Sequence, residues 1–367
     1  MYDVIVIGGG PAGTSAAITC AGSGARGLLL ERGRYPRHKV CGEFVSAESL
    51  DLLVDLLAPL PAWSLSDAIR IPRLQMFLDG RKLQAPVDPP AASISRWDLD
   101  AALWDSAERC GVDSRQQTSV QSISGTGPFL VETSAGEFES RAVINASGRW
   151  SNLNSVPSGI QNHPAKWLGL KGYFSETSAP ASADLYFFDG GYCGVQQTGL
   201  TNEVDGSGRV NACAMVRADV ARTLPEVFAC HPVLHERSRG WRPLSDPVST
   251  SPLVFHKPQP ERDGILMAGD AAAFIDPFVG DGISLALRSG RLAGECLLPF
   301  FAGTISLPEA AIDYRAIYER RLTPVFRTSS KIRRMLGLSQ TVRRSILRVL
   351  ERAPAITRYL VSKTRAA

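Results

Sequence analysis

The chain has 367 residues, of which 44% are hydrophobic and 21% charged, with a formal net charge of +4. These proportions are those of a globular protein large enough for two domains, and they exclude a disordered, fibrous or repeat protein. Seven cysteines without a C-x-x-C pair indicate neither a disulfide framework nor a structural zinc site, so we expect no metal. No apolar run reaches the roughly 18 residues of a membrane span. The first residues are typical of a strand and not of a signal peptide, so we expect a cytoplasmic protein.

The start of the chain has the pattern of a strand, a glycine-rich turn and a helix. Residues 2–7 are an apolar run rich in β-branched side chains, followed by Gly8, Gly10 and Gly13 in G-x-G-x-x-G spacing. Glu31, 23 positions after Gly8, ends the next predicted strand. In such a turn the glycines let the backbone approach a pyrophosphate, the helix N-terminus donates N–H groups, and the acid accepts a hydrogen bond from a ribose hydroxyl. The spacing predicts a site for FAD or NAD, because Glu31 would repel the 2′-phosphate of NADP.

The middle of the chain favours β-structure. Residues 69–87 are extended around the hairpin turn Asp79-Gly80, and 183–195 and 209–216 are further strand-like stretches. Because strands and helices alternate elsewhere, this pattern indicates a β-sheet domain inserted into an α/β domain.

A second glycine-rich segment, residues 264–282 (GILMAGDAAAFIDPFVGDG), contains a predicted strand, a turn and the start of a helix. Together with the first motif, it resembles the superfamily of FAD-dependent oxidoreductases that includes geranylgeranyl reductases, flavin-dependent halogenases and aromatic-ring hydroxylases. The resemblance implies that Asp270 holds the ribityl or phosphate end of FAD and that Pro277 lies near the isoalloxazine. It also implies that the amides of Gly280 and Gly282 face flavin N1 and O2, where a helix N-terminus favours the anionic reduced flavin.

Shorter elements extend the resemblance over about the first 300 residues. Arg96 begins an R-x-x-L-D element that approaches the flavin nucleotide in this superfamily, and Val120 would contact the adenine through its backbone. Gly148 lies in an A-x-G-x-x-S element that closes the nucleotide site. The residues that we expect to bind FAD are Gly8, Gly10, Pro11, Ala12, Gly13, Glu31, Arg32, Lys39, Cys41, Gly42, Arg96, Val120, Gly148, Gly269, Asp270, Pro277, Gly280 and Gly282.

The loop at 36–43 makes the geranylgeranyl-reductase-like dehydrogenases the most similar members, since Lys39, Cys41 and Gly42 match their K-x-C-G element. By this resemblance Cys41 lies beside the isoalloxazine, where a thiol would tune the flavin or assist proton transfer. A buried, inert cysteine is the alternative. Tyr192 keeps the aromatic position of the Y-x-W-x-F-P strand of the reductases, but the rest of that strand and the tryptophans of the halogenase W-x-W-x-I-P strand are missing. We expect Cys41 and Tyr192 to be catalytic.

These observations predict an α/β fold with a discontinuous Rossmann-like FAD-binding domain, an inserted β-sheet substrate domain and a helical C-terminus. The expected boundaries are 1–68, 88–160 and 257–300 for the FAD-binding domain, 69–87 and 161–256 for the substrate domain, and 301–367 for the C-terminal region.

The expected activity is that of an FAD-dependent dehydrogenase or reductase that exchanges hydride between flavin N5 and a C–C or C=C unit of an apolar small molecule, such as an isoprenoid or polyketide. The alternative is an FAD-dependent monooxygenase that hydroxylates or epoxidises a similar substrate. A third hypothesis is a flavin electron carrier without catalysis. No second nucleotide-binding motif is visible in the sequence, so the reductant would be NAD(P)H bound transiently at the flavin or a separate electron-donating reductase.

The C-terminus is strongly basic. Residues 331–367 carry ten Lys and Arg but a single acid, Glu351, which leaves −5 for the rest of the chain. Residues 341–352 have the pattern of an amphipathic basic helix. One interpretation is packing on the acidic body of the protein; the other is docking on an anionic membrane surface or an acidic carrier protein, peripheral to the membrane. Tyr359 is the single aromatic residue in this segment, so we expect no nucleic-acid partner.

Overall fold

The computed structural model describes residues 1–149, 153, 166–199, 208–251, 253 and 255–352. Within these residues the strands are, in chain order, β1 (Tyr2–Ile7), β2 (Gly27–Leu30), β3 (Phe44–Val45), β4 (Ile69–Leu78), β5 (Arg81–Ser93), β6 (Asp113–Arg115), β7 (Val120–Ser124), β8 (Phe129–Thr133), β9 (Gly136–Asn145), β10 (Trp167–Glu176), β11 (Ala183–Phe188), β12 (Gly191–Gln197), β13 (Gly208–Arg217), β14 (Arg242–Pro243), β15 (Val248–Thr250), β16 (Glu261–Arg262) and β17 (Ile265–Met267). The α-helices are α1 (Pro11–Ala21), α2 (Leu50–Leu57), α3 (Arg96–Arg109), α4 (Leu224–Ala229), α5 (Pro232–Ser238), α6 (Gly282–Phe301), α7 (Leu307–Arg321), α8 (Thr323–Leu336) and α9 (Gln340–Arg352). Short 3₁₀ turns lie at Ala47–Ser49, Leu65–Asp67, Gly269–Ala271 and Pro277–Val279.

The first sheet has a parallel centre. Its parallel strands lie in the order β17-β9-β1-β2-β6, and β7, β8 and β16 add antiparallel pairs. The apolar runs of β1 and β2 are almost wholly buried, as expected of central strands in a parallel sheet. Helices α1 and α6 pack closely beside this sheet because Gly290 has no side chain; a Cβ there would lie 2.0 Å from the carbonyl oxygen of Ala12. This is the predicted Rossmann-like half of the α/β fold.

The second sheet is larger and mostly antiparallel. Its strands lie in the order β14-β10-β13-β12-β11-β4-β5-β3, with β15 beside β10. The predicted stretch 183–195 forms two strands, β11 and β12, which pair antiparallel along their length. Strand β11 also pairs with β4 in parallel, which joins the early hairpin to the later meander. The predicted β-sheet domain is therefore built from segments far apart in the chain.

The β4–β5 hairpin turns at Asp79-Gly80, as predicted, with positive φ at both residues. The hairpin is longer than the predicted segment 69–87, because Ile69 pairs with Ser93. The ladder shifts register between Ile71 and Arg73, which leaves Pro89 and Pro90 of β5 in the irregular part, where their missing N–H groups are tolerated.

The C-terminal helices belong to both halves of the protein. Tyr314 and Tyr318 of α7 are buried in the core of the first sheet, and the Tyr314 hydroxyl donates a hydrogen bond to the carbonyl of Met267 (2.7 Å). Helix α7, which lies in the predicted separate C-terminal region, therefore packs into the core of the first sheet. By contrast, Leu336 of α8 and Leu347 of α9 pack with apolar side chains of the second sheet. No α-helix in the described ranges is long and apolar enough to cross a membrane.

Candidate functional site

A cavity of about 660 Å³ lies where the carboxyl ends of β1 and β2 face the second sheet. Every residue predicted to bind FAD lines this cavity except Gly13, and the two predicted catalytic residues, Cys41 and Tyr192, line it as well. Gly13 has a packing role, since a Cβ there would lie 1.7 Å from the carbonyl oxygen of Gly8. Segments separated by most of the chain thus meet at one site.

The glycine turn between β1 and α1 leaves room for a ligand. Gly8 has φ +103°, and a Cβ there would lie 2.3 Å from the carbonyl oxygen of Ala146, so glycine is required. At Gly10, in contrast, the same position faces the cavity, with Lys39 Nζ nearest at 3.7 Å. No described side chain caps the N-terminus of α1, which begins with Pro11, so its free N–H groups are available to an anion.

Glu31 is held at the end of β2 by several donors. Its carboxylate accepts hydrogen bonds from the N–H groups of Gly9 (3.0 Å) and Gly33 (2.7 Å) and pairs with Arg37 (2.8 Å). Burial opposes its charge, but Lys39, Arg37 and the two N–H groups outweigh burial and hold the pKa of Glu31 below its ordinary value. The side chain is therefore an ionised acceptor at the cavity, as the ribose of a dinucleotide requires.

A second charged group lies across the glycine turn. The buried carboxylate of Asp100 accepts two hydrogen bonds from the Arg96 guanidinium (both 2.7 Å) and pairs with Lys39 Nζ (2.8 Å). Burial would raise the pKa of Asp100, but the two cations lower it to about 2. Two cations against one anion leave an excess positive charge where Arg96 and Lys39 line the cavity, which suits a pyrophosphate.

The other end of the cavity is formed by the 264–282 segment. Gly280 adopts φ +73°, and α6 starts at Gly282 with no acid in its first turn and no described side chain capping it. The Arg149 guanidinium lies 3.5 Å from Asp270 and 4.1 Å from the ring centre of Phe274. A second helix N-terminus thus faces the same cavity as α1. Two such termini, an ionised acid and a cationic wall fit a flavin dinucleotide.

The predicted catalytic residues lie on different walls. The Cys41 thiol accepts a hydrogen bond from the N–H of Glu43 (3.3 Å). The Tyr192 ring packs against Phe187 and Phe278, with ring centres 5.6 and 6.0 Å apart. Burial raises the pKa of the Tyr192 hydroxyl, so this side chain is a neutral phenol. Both residues are thus placed to contact a substrate in the cavity, and their catalytic role stays a prediction.

The wall around Tyr192 is apolar. Tyr192 belongs to a buried cluster that also contains Leu78, Leu83, Phe187, Met215, Leu253 and Leu347. Because Leu347 lies in α9, the basic C-terminal helix covers this end of the site.

Sequence reasoning missed a group of residues around Glu43. Glu43 is fully buried, has φ +63°, and forms an ion pair with Lys171, which is 1% exposed. A non-glycine residue in this conformation costs about 1–3 kcal/mol and persists only where its surroundings fix it. The available signal was the lysine within the otherwise apolar strand WLGLKGYF, since buried lysines are rare unless paired.

Comparison with known proteins identifies similar flavoproteins and reductases. A family model described as "FAD dependent oxidoreductase" matches residues 81–295, and one described as "FAD binding domain" matches residues 1–155. Digeranylgeranylglycerophospholipid reductase 2 of Methanopyrus kandleri is 26% identical over 320 residues, 80% of this chain and 76% of its own length. The menaquinone reductase of Mycobacterium tuberculosis is 27% identical over 326 residues, 80% of this chain and 76% of its own.

Among solved structures, the flavin-dependent brominase Bmp2 superposes with a TM-score of 0.77 at 18% identity, over 99% of this chain and 93% of the brominase. At that identity the likeness shows the fold alone. The family model described as "FAD dependent oxidoreductase" spans more than half of the chain. The chain belongs to the FAD dependent oxidoreductase family and is an FAD-dependent enzyme.

Proposed function

We propose that this oxidoreductase reduces or dehydrogenates a C–C or C=C unit of an apolar small molecule, such as an isoprenoid or a polyketide. The observation that carries the proposal is the continuity of the cavity, which runs from the glycine turn and Glu31 to the apolar wall at Tyr192. The two relatives named above are reductases of a lipid and of a quinone, which supports a reduction of an apolar compound.

When bound, FAD supplies hydride transfer at N5. The residues of the chain have three tasks. Arg96, Lys39 and the N-terminus of α1 hold the pyrophosphate, and the apolar cluster around Tyr192 excludes water from the substrate end. Reduction of a double bond also needs one proton on the second carbon. We assign that proton to the Cys41 thiol, which regains it before the next turnover, while the neutral Tyr192 orients the substrate.

The experiment is to reduce the FAD-loaded protein without oxygen, add candidate isoprenoids, quinones or polyketides, and weigh the product. A gain of two hydrogen atoms is expected, and Cys41→Ser should slow product formation about 100-fold, the size of a typical general-acid contribution. A gain of one oxygen atom, seen only after oxygen is admitted, would instead establish the monooxygenase. No product under either condition would favour the electron carrier. Anaerobic bleaching of the flavin by NADH or NADPH tests whether a nicotinamide cofactor is the reductant; without bleaching, a separate reductase is required.

We also propose that α8 and α9 dock on an anionic membrane surface, from which an apolar substrate would enter. Over 323–348 these helices carry seven Lys or Arg and no acid. The exposed cations are Arg327, Lys331, Arg334, Arg344 and Arg348. Leu338 and Val342 of the same segment are 42% and 45% exposed, while Leu347 of α9 packs on the apolar cluster at the substrate end of the site. A basic segment that also exposes apolar side chains has the composition of an interfacial helix.

Docking is measured by sedimentation with vesicles of phosphatidylcholine, with and without phosphatidylglycerol. Binding to the anionic vesicles alone is expected, and the double variant Arg344→Glu/Arg348→Glu should lose it. The charge-matched control Arg222→Glu/Arg239→Glu, on the other face of the second sheet, should retain it. Equal binding by the two double variants, or binding to neither vesicle, would overturn the proposal and leave packing on the acidic body of the protein or an acidic carrier protein as the explanation of the basic helix.

A further inference from the structure

A buried polar cluster joins the Cys41 loop to the second sheet. Its members are Glu43, Lys171, Tyr173, Thr198 and Asn211, all of them buried. Glu43 also lines the cavity. Burial of an acid and a lysine in one cluster is costly unless each charge is compensated by a partner and by hydrogen bonds.

The Glu43 carboxylate is the centre of the cluster. Its Oε1 accepts hydrogen bonds from Lys171 Nζ, from the Tyr173 hydroxyl (2.5 Å) and from the N–H of Arg96 (2.9 Å). Its Oε2 accepts one from the Thr198 hydroxyl (3.0 Å). Burial and the neighbouring carboxylate raise the pKa of Tyr173, so its hydroxyl remains a donor. Donors from the second sheet and from α3 therefore fix one side chain of the loop.

The same loop presents Cys41 to the cavity. The N–H of Glu43 donates to the Cys41 thiol (3.3 Å), and the Asn211 side chain donates to the Cys41 carbonyl (2.9 Å). Glu43, whose side chain is anchored in the second sheet, thus orients the Cys41 thiol. Asn211 of that sheet orients the Cys41 carbonyl.

We propose that Glu43 is a positioning residue which, paired with Lys171, holds the Cys41 thiol at the cavity wall. The two charges of the pair also offset each other near the thiol, while the Arg96 cation of α3 acts on Cys41 in the wild type and in every variant. Without Glu43 the remaining Lys171 cation favours the thiolate; without Lys171 the remaining carboxylate favours the thiol. The inference rests on the proposed function only in giving Cys41 a role in the reaction.

The test measures the reactivity of Cys41 and not turnover. FAD-loaded protein is treated with iodoacetamide at several pH values, and the labelled peptides are quantified by mass spectrometry. Cys230, which does not line the cavity, is the internal reference in every sample. The variants are Glu43→Gln and Lys171→Met, with Thr198→Val as a milder change that removes one donor and keeps both charges.

The two charge variants should shift the pH midpoint of Cys41 labelling in opposite directions, by about one pH unit each, downward for Glu43→Gln and upward for Lys171→Met. Faster labelling in both variants without opposite shifts would support the positioning of the thiol by the pair and overturn its electrostatic role. At neutral pH we expect labelling in Glu43→Gln to be about tenfold faster than in the wild type. In Thr198→Val, Cys41 should be labelled at a rate between those of the wild type and Glu43→Gln, with an unchanged pH midpoint. This variant tests the positioning of the thiol even if the charge variants do not fold.

Glu176→Gln is the control, because Glu176 of strand β10 in the same sheet forms an ion pair with Arg237 of α5 (2.6 Å) but touches no residue of the Cys41 loop among its described contacts. Cys41 should label at the wild-type rate in this variant. The proposal is overturned if Glu43→Gln and Thr198→Val label Cys41 no faster than Glu176→Gln. If instead Cys41→Ser retains full activity while the labelling shifts appear, the positioning stands and the catalytic assignment of Cys41 falls.

Discussion

Arg343 of α9 and Asp79 of the β4–β5 turn form a double hydrogen bond, with Nε and a terminal nitrogen of the guanidinium 2.9 and 2.8 Å from the two carboxylate oxygens. Both side chains are largely buried, at 12% and 5% exposed. This pair fixes the basic C-terminal helix to the tip of a hairpin in the second sheet, above the apolar end of the cavity.

Replacing Arg343 by Met should therefore loosen α9. Hydrogen bonds from Arg343 hold the pKa of Asp79 below its ordinary value, so the pair stabilises the fold at a pH above the unfolded pKa of Asp79. That contribution is lost as the pH falls through the lowered pKa. We expect a loss of about 1–3 kcal/mol at pH 7 in urea unfolding, the range for hydrogen bonds to charged groups. The difference from the wild type should shrink as the pH falls below the ordinary pKa of aspartate, about 3.9. The part that remains comes from the hydrogen bonds of Arg343 to the carbonyls of Leu336 and Leu338, which do not titrate. A difference that does not change with pH would contradict the pairing.

Gly10 and Gly13 should respond differently to alanine. A Cβ at Gly10 meets open cavity, so Gly10→Ala should leave the unfolding temperature of the FAD-free protein nearly unchanged and weaken FAD binding. A Cβ at Gly13 overlaps the carbonyl of Gly8, so Gly13→Ala should destabilise the fold itself. Thermal unfolding and flavin fluorescence titration of both variants separate the two effects. Equal loss of stability in both would show that the turn is not open at Gly10.

Acid should weaken the interactions of Asp100 with Arg96 and Lys39. Its folded pKa of about 2 lies below the ordinary value for aspartate, so it stabilises the protein above pH 4 and loses that contribution as the pH falls toward 2. The contribution at pH 7 is about 2–3 kcal/mol. Asp100→Asn leaves Arg96 and Lys39 without their counter-charge and should cost about 3–5 kcal/mol at pH 7. Acid unfolding followed by circular dichroism should show a shallower pH dependence in Asp100→Asn than in the wild type.

Glu31→Gln tests the dinucleotide assignment. The variant keeps the shape of the side chain but loses the negative charge, so hydrogen bonds to a ribose hydroxyl and to its N–H partners weaken. Loss of a charged hydrogen bond is worth about 1.5–3 kcal/mol, which corresponds to about 10- to 150-fold in the dissociation constant of FAD. Fluorescence titration of the FAD-free protein with FAD measures this dissociation constant. Unchanged affinity in Glu31→Gln would place the ribose elsewhere.

Many of the residues that line the candidate site could be predicted from short sequence patterns. The glycine turn, Glu31, the Asp79-Gly80 hairpin and the amphipathic helix at 341–352 are each encoded within a few neighbouring residues, where backbone geometry and hydrophobic spacing act directly. The cofactor could be predicted because a pyrophosphate demands glycines and a helix N-terminus close together in the chain.

The sequence by itself thus determined the α/β class, the use of FAD and most of the predicted FAD-binding residues that line the cavity. Only the tertiary structure decided which side chains meet across the two sheets. Glu43 and Lys171 are 128 positions apart, and Arg343 and Asp79 are 264 apart, so no local pattern relates them. Their pairing depends on how the second sheet packs against the loop after β2 and against the last helix. That packing sets distance and burial, and with them the strength of each charge interaction.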